Sequence, residues 1–190
     1  MGLDRIALIS DVHGNLTALE AVLADIEGRG IERVFNLGDY AGKGPRGQAV
    51  VDRCQEVCEV NILGNWDDFL PDPERVEDSE GLRWWRNELR EDQWAWLRGL
   101  PFCHDFLLSG RQVRLFHASS ADVHHRIVFD HDEKQYASFF ENTRRPGTGR
   151  CRRSLGTPTF TTRSTRRTAG GRSSTPARSA TVSVTRRLGT

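Results

Sequence analysis

The sequence predicts an α/β fold built on a mainly parallel sheet. Three observations carry the prediction. Short apolar runs of strand length alternate with amphipathic helical stretches, their order reads βαβαβ, and each apolar run ends in a small polar motif. In such sheets ligands bind outside the carboxyl ends of the strands. The polar motifs stand at those ends.

Taken in order, residues 5–10 form a β-rich run, and Leu16, Leu19, Val22, Leu23 and Ile26 then recur at helical spacing. Residues 34–37 give a second strand. A loop over 42–47 leads into a helix marked by Val50, Val51 and Cys54, and residues 57–63 give a third strand. Further on, 113–116 is another apolar run, closed by His117-Ala118-Ser119, and His104 falls at the start of a strand. Between Asn65 and Cys103 lies an insertion whose neighbourhood holds all five tryptophans, Trp66, Trp84, Trp85, Trp94 and Trp96. Leu82, Trp85 and Leu89, then Trp94 and Leu97, fit helical spacing, with charged residues opposite. Over 69–100 this reads as one or two helices packed on the sheet edge or serving as a dimer surface, or as a cap that shapes a pocket.

Composition bounds what these motifs can mean. A chain of 190 residues makes one domain with a core that needs no disulfide. Hydrophobic content of 37% and charged content of 28% are ordinary for a globular protein. An acid and a base among the first residues argue against a signal peptide, and no apolar run reaches membrane-spanning length, so a cytoplasmic setting without membrane attachment is expected. The four cysteines, Cys54, Cys58, Cys103 and Cys151, lack paired zinc spacing and read as buried or idle thiols rather than metal ligands or a disulfide.

The net charge of +1 conceals a split. Residues 1–143 hold all 26 acidic residues against 15 basic ones, a net of −11, whereas 144–190 holds 12 arginines and no acid. The expected organisation is a domain over 1–143 followed by an Arg/Ser/Thr-rich tail with too few apolar residues to offset the entropy of ordering.

The chemistry sits in three motifs: Ser10-Asp11-Val12-His13-Gly14-Asn15, Gly38-Asp39-Tyr40, and Gly64-Asn65-Trp66-Asp67. Alone, the first is also what a helix N-terminus looks like, with Asn15 as the cap. A lone Gly-Asp after a strand is common. Together, at successive strand ends, Asp11, Asp39 and Asn65 can converge on one crevice while His13 adds a nitrogen donor. Carboxylate, carboxamide and imidazole donors suit borderline divalent metals, Mn, Fe, Co, Ni or Zn. A carboxylate shared by two ions holds them about 3.5–4 Å apart, the spacing that clamps a phosphoryl displacement. His117 is a fourth strand-end candidate.

These motifs resemble those of the calcineurin-like metallophosphoesterase family over about residues 3–143. The context Gly38-Asp39-Tyr40-Ala41-Gly42-Lys43-Gly44-Pro45 is similar to its small prokaryotic phosphodiesterase branch. The resemblance implies a four-layer α/β/β/α sandwich with two packed sheets, and two divalent metal ions. It places Asp11 and His13 on the first metal, Asp39 between both, and Asn65 and His117 on the second. Asp39, Asn65 and His117 are the implied catalytic set. Asn65, Trp66, Gly44 and His124 are candidates for contact with substrate, Gly44 because the glycine-rich loop lets backbone approach a phosphate. His125 and His131, like His124, otherwise read as surface residues near the rim.

Two departures stand out. Trp66 occupies the position where the family's GNHD motif has histidine, while Asp67 keeps the final acid and is expected to orient a neighbour. The family's closing GHxH pair and GSVG-like loop are absent, since no histidine follows His131. A shifted reading of the tail supplies them. With the third base of each codon joined to the next two, 155–163 permits GYADIHDA, 172–181 permits TLFNTGSVGN, and 146–155 permits GDGPVPEVVG. This points to a frameshift near 142–145. The alternative is a genuine basic arm that binds nucleic acid through phosphate contacts.

The expected activity is metal-dependent hydrolysis of a phosphate mono- or diester, on a small phosphoester or a phosphoprotein, by a metal-activated water. Nucleic acid is not the expected partner, and a homo-oligomer is compatible with the insertion. The alternative is a catalytically impaired or non-catalytic member that binds a nucleotide or protein partner, to which Trp66 and the absent closing ligand both point.

Overall fold

Three short apolar strands form the framework of the computed structural model, which describes residues 4–72, 74, 79–120, 122–126, 130, 132–138 and 183–184. They are β1 (Ala7–Ile9), β2 (Val34–Asn36) and β3 (Val60–Asn61). All pair in parallel, β1 with β2 through Leu8 and Phe35, and β2 with β3 through Phe35 and Val60. Helix α1 (Leu16–Gly28) links the first two and α2 (Gly47–Val57) the next two. The third strand begins later than its apolar run because α2 persists to Val57. Its cap Cys58 still donates to the Cys54 carbonyl, and pairing starts only where the Glu59 N–H reaches Val34 O.

Two further elements follow β3 without a break in packing. A five-residue helix, α3 (Asn65–Phe69), starts at the third motif, and the insertion folds as α4 (Glu80–Glu88) and α5 (Glu91–Gly99). Then β4 (Cys103–Leu108) and β5 (Arg111–Phe116) make an antiparallel hairpin, and α6 (Glu133–Ser138) follows. A last strand, β6 (Ser183–Val184), lies parallel beside Ala7 and Leu8, giving the sheet order β3-β2-β1-β6. These two are the described residues of the tail. Cys151, His131 and the rest of 144–190, on which the frameshift and basic-arm readings bear, lie outside the described residues.

Alternation along the strands creates two cores. Ala7, Ile9 and Val34 face Leu19, Ile26, Val50, Cys54 and Leu97 on one side, while Ile6, Phe35, Val60 and Ile62 face Leu108 and Leu115 of the hairpin on the other. Helices, parallel sheet and hairpin are thus three successive layers among the described residues, a mixed α/β arrangement as the strand pattern predicts. Each fully buried large apolar side chain, such as Phe35 or Leu19, contributes about 1.5–3 kcal/mol.

The thiols divide. Cys54 and Cys58 are free and buried as expected, but Cys103 is disulfide-bonded, which corrects the reading of four idle thiols. No helix among the described residues is long and apolar enough to cross a membrane.

The insertion lies against the motif loops. Trp85 of α4 meets the Trp66 indole edge-on with centroids 5.5 Å apart, and Trp96 of α5 meets Tyr40 at 5.0 Å. It therefore braces the loops after β2 and β3.

Candidate metal centre

The site is assembled by backbone hydrogen bonds between loops at the strand ends. Asp11 N–H donates to Gly38 O (3.0 Å), His13 N–H to Asp39 O (2.9 Å) and Gly14 N–H to Tyr40 O (2.8 Å). These bonds hold Asp11, His13 and Asp39 at φ values of 58°, 49° and 64°, in the left-handed region that non-glycine residues rarely occupy. Ala118, next to His117, has φ 57°. Such residues cost about 1–3 kcal/mol each and persist where surrounding structure over-determines them, as these bonds do.

Asp39 is the hub. One of its carboxylate oxygens, Oδ1, accepts from Trp66 N–H at 2.8 Å. The other, Oδ2, stands 3.4 Å from His13 Nε2 and 3.8 Å from His117 Nε2. His13 Nε2 is also 3.8 Å from Asp11 Oδ1, and His117 Nε2 is 3.1 Å from Asn65 Oδ1. By these distances Asp11 neighbours His13, Asn65 neighbours His117, and both imidazoles approach the same Asp39 oxygen. Ligand atoms of Asp11, Asp39 and His117 lie within 4.8 Å of one another.

The donor set fits divalent cations for reasons internal to its hydrogen bonding. His117 Nδ1 faces Leu37 O at 2.8 Å, and only an N–H can be satisfied there. Nε2 then carries a lone pair aimed at Asn65 Oδ1, another acceptor. Two acceptors face each other productively around a shared cation, or when the imidazole takes a second proton. His13 repeats the arrangement, with Nδ1 directed to Ala41 O at 3.5 Å and Nε2 turned to the carboxylates. Fixing one imidazole nitrogen to a carbonyl is the usual way to orient the other toward a metal.

Electrostatics mark the same place. Burial raises the Asp39 carboxyl, and the imidazole of His117 opposes that rise. Burial also raises Asp11, but the nearby His13 imidazole, 3.8 Å away, and the Ser10 hydroxyl, which donates at 2.7 Å, outweigh it and hold the carboxyl well below the usual range. Asp67, fully buried, is pushed up to about 8 by burial and by the neighbouring Asp39 carboxylate.

Asp67 orients rather than binds. Its carboxylate accepts the N–H groups of Asp39 (2.7 Å), Tyr40 (3.1 Å) and Gly64 (2.9 Å), tying the loop after β2 to that after β3. A β carbon on Gly64 would lie 2.2 Å from Asp39 Oδ1, so only glycine lets the two loops approach this closely.

The remaining candidates fall at differing positions. The Trp66 indole meets His13 edge-on at 5.4 Å and so borders the centre. Gly44 touches the first motif, but its N–H is committed to His13 O at 2.8 Å, so it supplies close packing rather than a donor for phosphate. His124 pairs with Asp68 of α3 at 3.0 Å, and no direct link to the ligand set is seen among the described residues. Sequence reasoning passed over Lys43, whose Nζ donates to His13 Nε2 at 2.8 Å. The one signal was its place between two glycines.

An uncharacterized protein of Methanocaldococcus jannaschii is 31% identical over 119 residues, covering 60% of this chain and 49% of that protein. A crystal structure of a metallophosphoesterase from Sphaerobacter thermophilus shares 31% identity, with a TM-score of 0.50 over 63% of this chain and 49% of that one. A hypothetical protein from Pyrococcus horikoshii, 18% identical with a TM-score of 0.54 over 70% of this chain and 63% of that one, shares the fold. The chain spans about half the length of the first two of these relatives. The model of the calcineurin-like phosphoesterase superfamily domain matches residues 5–141, and this chain belongs to that superfamily.

Proposed function

We propose that the protein hydrolyses a phosphate mono- or diester with two divalent metal ions, one held by Asp11, His13 and Asp39 and the other by Asp39, Asn65 and His117. Superfamily membership supports phosphoesterase function in general. The metal reading rests on one observation above all: Asp39 Oδ2 is approached by the Nε2 atoms of two imidazoles, at 3.4 and 3.8 Å, each of which turns its other nitrogen to a carbonyl. Divalent ions bound by these donors would supply Lewis acidity and lower the pKa of a water toward neutrality.

The chain's own residues do the rest. Asp39 keeps Oδ2 directed inward because Trp66 N–H holds Oδ1. Leu37 O fixes the His117 tautomer so that Nε2 remains a ligand rather than a donor. Asp67 fixes the backbone at Asp39 and Tyr40, and the Trp66 indole closes one side. The substrate class in this reading is a small phosphoester, and no covalent intermediate on the protein is required.

Asp39→Asn tests the reading, because it keeps the shape and the Oδ1 hydrogen bond while removing the shared anionic oxygen. Hydrolysis of bis(p-nitrophenyl) phosphate in the presence of Mn²⁺ should fall at least about a hundredfold with the circular dichroism spectrum unchanged. Unaltered turnover would refute the assignment. Metal uptake without turnover in the unmodified chain would favour a binding protein instead.

A further inference from the structure

The chain after β5 and helix α3 are joined twice. At the first junction His117 Nε2 stands 3.1 Å from Asn65 Oδ1, within the candidate ligand set. At the second, His124 Nε2 stands 3.0 Å from Asp68 Oδ2. Asn65 and Asp68 are three positions apart on α3, so they share a face, with β carbons about 5–6 Å apart. The second junction therefore lies one helical turn from the first.

His124 is held there by its own surroundings. Val123 is fully buried in the core cluster that includes Leu70 and Leu97. Asp122 Oδ1 accepts the His124 N–H at 2.7 Å, and the buried Ser119 hydroxyl accepts the Asp122 N–H at 3.3 Å and donates to its carbonyl at 3.2 Å. The His124 side chain is 40% exposed and that of Asp68 11%, so the ring meets solvent while its partner is shielded. With a carboxylate as partner, Nε2 carries the hydrogen. Nδ1 makes no hydrogen bond among the described residues. An imidazole held by a carboxylate at one nitrogen can exchange a proton at the other.

The reaction calls for such a group. Asp11, His13, Asp39, Asn65 and His117 are engaged as ligands in the reading above, and the Trp66 indole beside them has no titratable proton. An alkoxide or phenoxide departs slowly unless a positioned acid protonates it. The charged groups that face His124 are Asp68 from α3 and, in its own loop, Asp122, with His125 and Arg126 next in the chain.

We propose that His124, positioned by Asp68, is the general acid for the leaving group of the phosphoester. The Nδ1 proton of the imidazolium passes to the bridging oxygen as its bond to phosphorus breaks and a water oxygen forms the new bond. The leaving group departs as an alcohol or phenol, and the neutral ring regains a proton from solvent. The proposal rests on the phosphoesterase reading above. It makes His124 a catalytic residue and Asp68 a positioning residue.

The test compares diphenyl phosphate, whose phenolate leaves poorly, with bis(p-nitrophenyl) phosphate, whose p-nitrophenolate leaves without a proton. Both are given to the Mn²⁺-loaded full chain, unmodified and as His124→Gln and Asp68→Asn, with Mn²⁺ content measured alongside. His124→Gln should lower kcat for diphenyl phosphate at least about tenfold more than for the nitrophenyl ester, at unchanged Mn²⁺ content, and Asp68→Asn should show the same selectivity in weaker form. Without turnover, phenyl phosphate added to the Zn²⁺-loaded chain should shift the His124 ring-proton NMR signal, identified by its loss in His124→Gln, and leave that of His104 on β4 in place. Equal losses on the two esters, no loss on either, or a His124 signal indifferent to phenyl phosphate would overturn the proposal and leave the phosphoesterase reading intact. A fall in Mn²⁺ content in His124→Gln would also overturn it, making the pair a support of the metal centre. An unmodified chain that takes up no Mn²⁺ and cleaves neither ester would overturn both.

Discussion

At position 67 a buried carboxylate accepts three backbone N–H groups while another carboxylate, Asp39, stands beside it. The donors favour its anion, but burial and Asp39 disfavour it more, and the group is raised from 3.8 to about 8. The sign of the consequence follows from linkage. An acid whose folded value lies above its unfolded value stabilises the fold fully below about 3.8, and that contribution is lost as pH rises toward 8. Metal-stripped protein should therefore resist urea better at pH 5 than at pH 8, and Asp67→Asn should flatten the difference. A steeper difference in the variant would contradict this account of Asp67. At this scale the candidate ligands were legible, because Asp11, His13, Asp39, Asn65 and His117 each follow an apolar run in a recognisable motif. The approach of the exposed Lys43 to His13 and Trp66 was not, since a lysine in a glycine-rich loop reads like any solvated charge.

A buried amide fastens the insertion to α2. Gln93 of α5 is fully buried, accepts from Arg90 N–H at 3.1 Å, and donates to Gln48 O at 2.9 Å and to Asp52 Oδ1 at 2.8 Å, both on α2. Removing it deletes three part-buried hydrogen bonds, so Gln93→Leu should cost about 1–3 kcal/mol in urea unfolding. The nearby Arg90–Asp52 pair is a useful contrast, since both side chains are over 40% exposed and Arg90→Ala, which leaves the Gln93 hydrogen bonds in place, should cost less. Equal costs would contradict the ranking. The helices of the insertion were legible from the spacing of Leu82, Trp85, Trp94 and Leu97. Helix α3 was not, because five residues are too few to show a period, and its first residue, Asn65, reads equally well as the end of a strand.

Across the whole molecule, the parallel sheet places three motif loops at one edge, and helices on one face and a hairpin on the other hold that edge in place. The alternation of strands and helices made this order legible. The hairpin's place on the second face was not, because β4 and β5 pair with each other and meet the sheet only through side chains such as Phe106 on Phe35, 5.1 Å between centroids. Crowding the buried Asp39 and Asp67 carboxyls at the sheet edge destabilises the metal-free chain, and cation binding should reverse this. At a hundredfold excess of Mn²⁺ over its dissociation constant, folding should gain about 2.7 kcal/mol for each ion bound, seen as a higher urea midpoint. The most direct test of the central claim is the molar ratio of metal to chain after equilibrium dialysis against Mn²⁺, with Asp39→Asn in parallel. The account predicts two ions per chain and the loss of both in the variant, because one carboxylate oxygen serves both halves of the site. One ion or none in the unmodified chain, or full retention in Asp39→Asn, would contradict it.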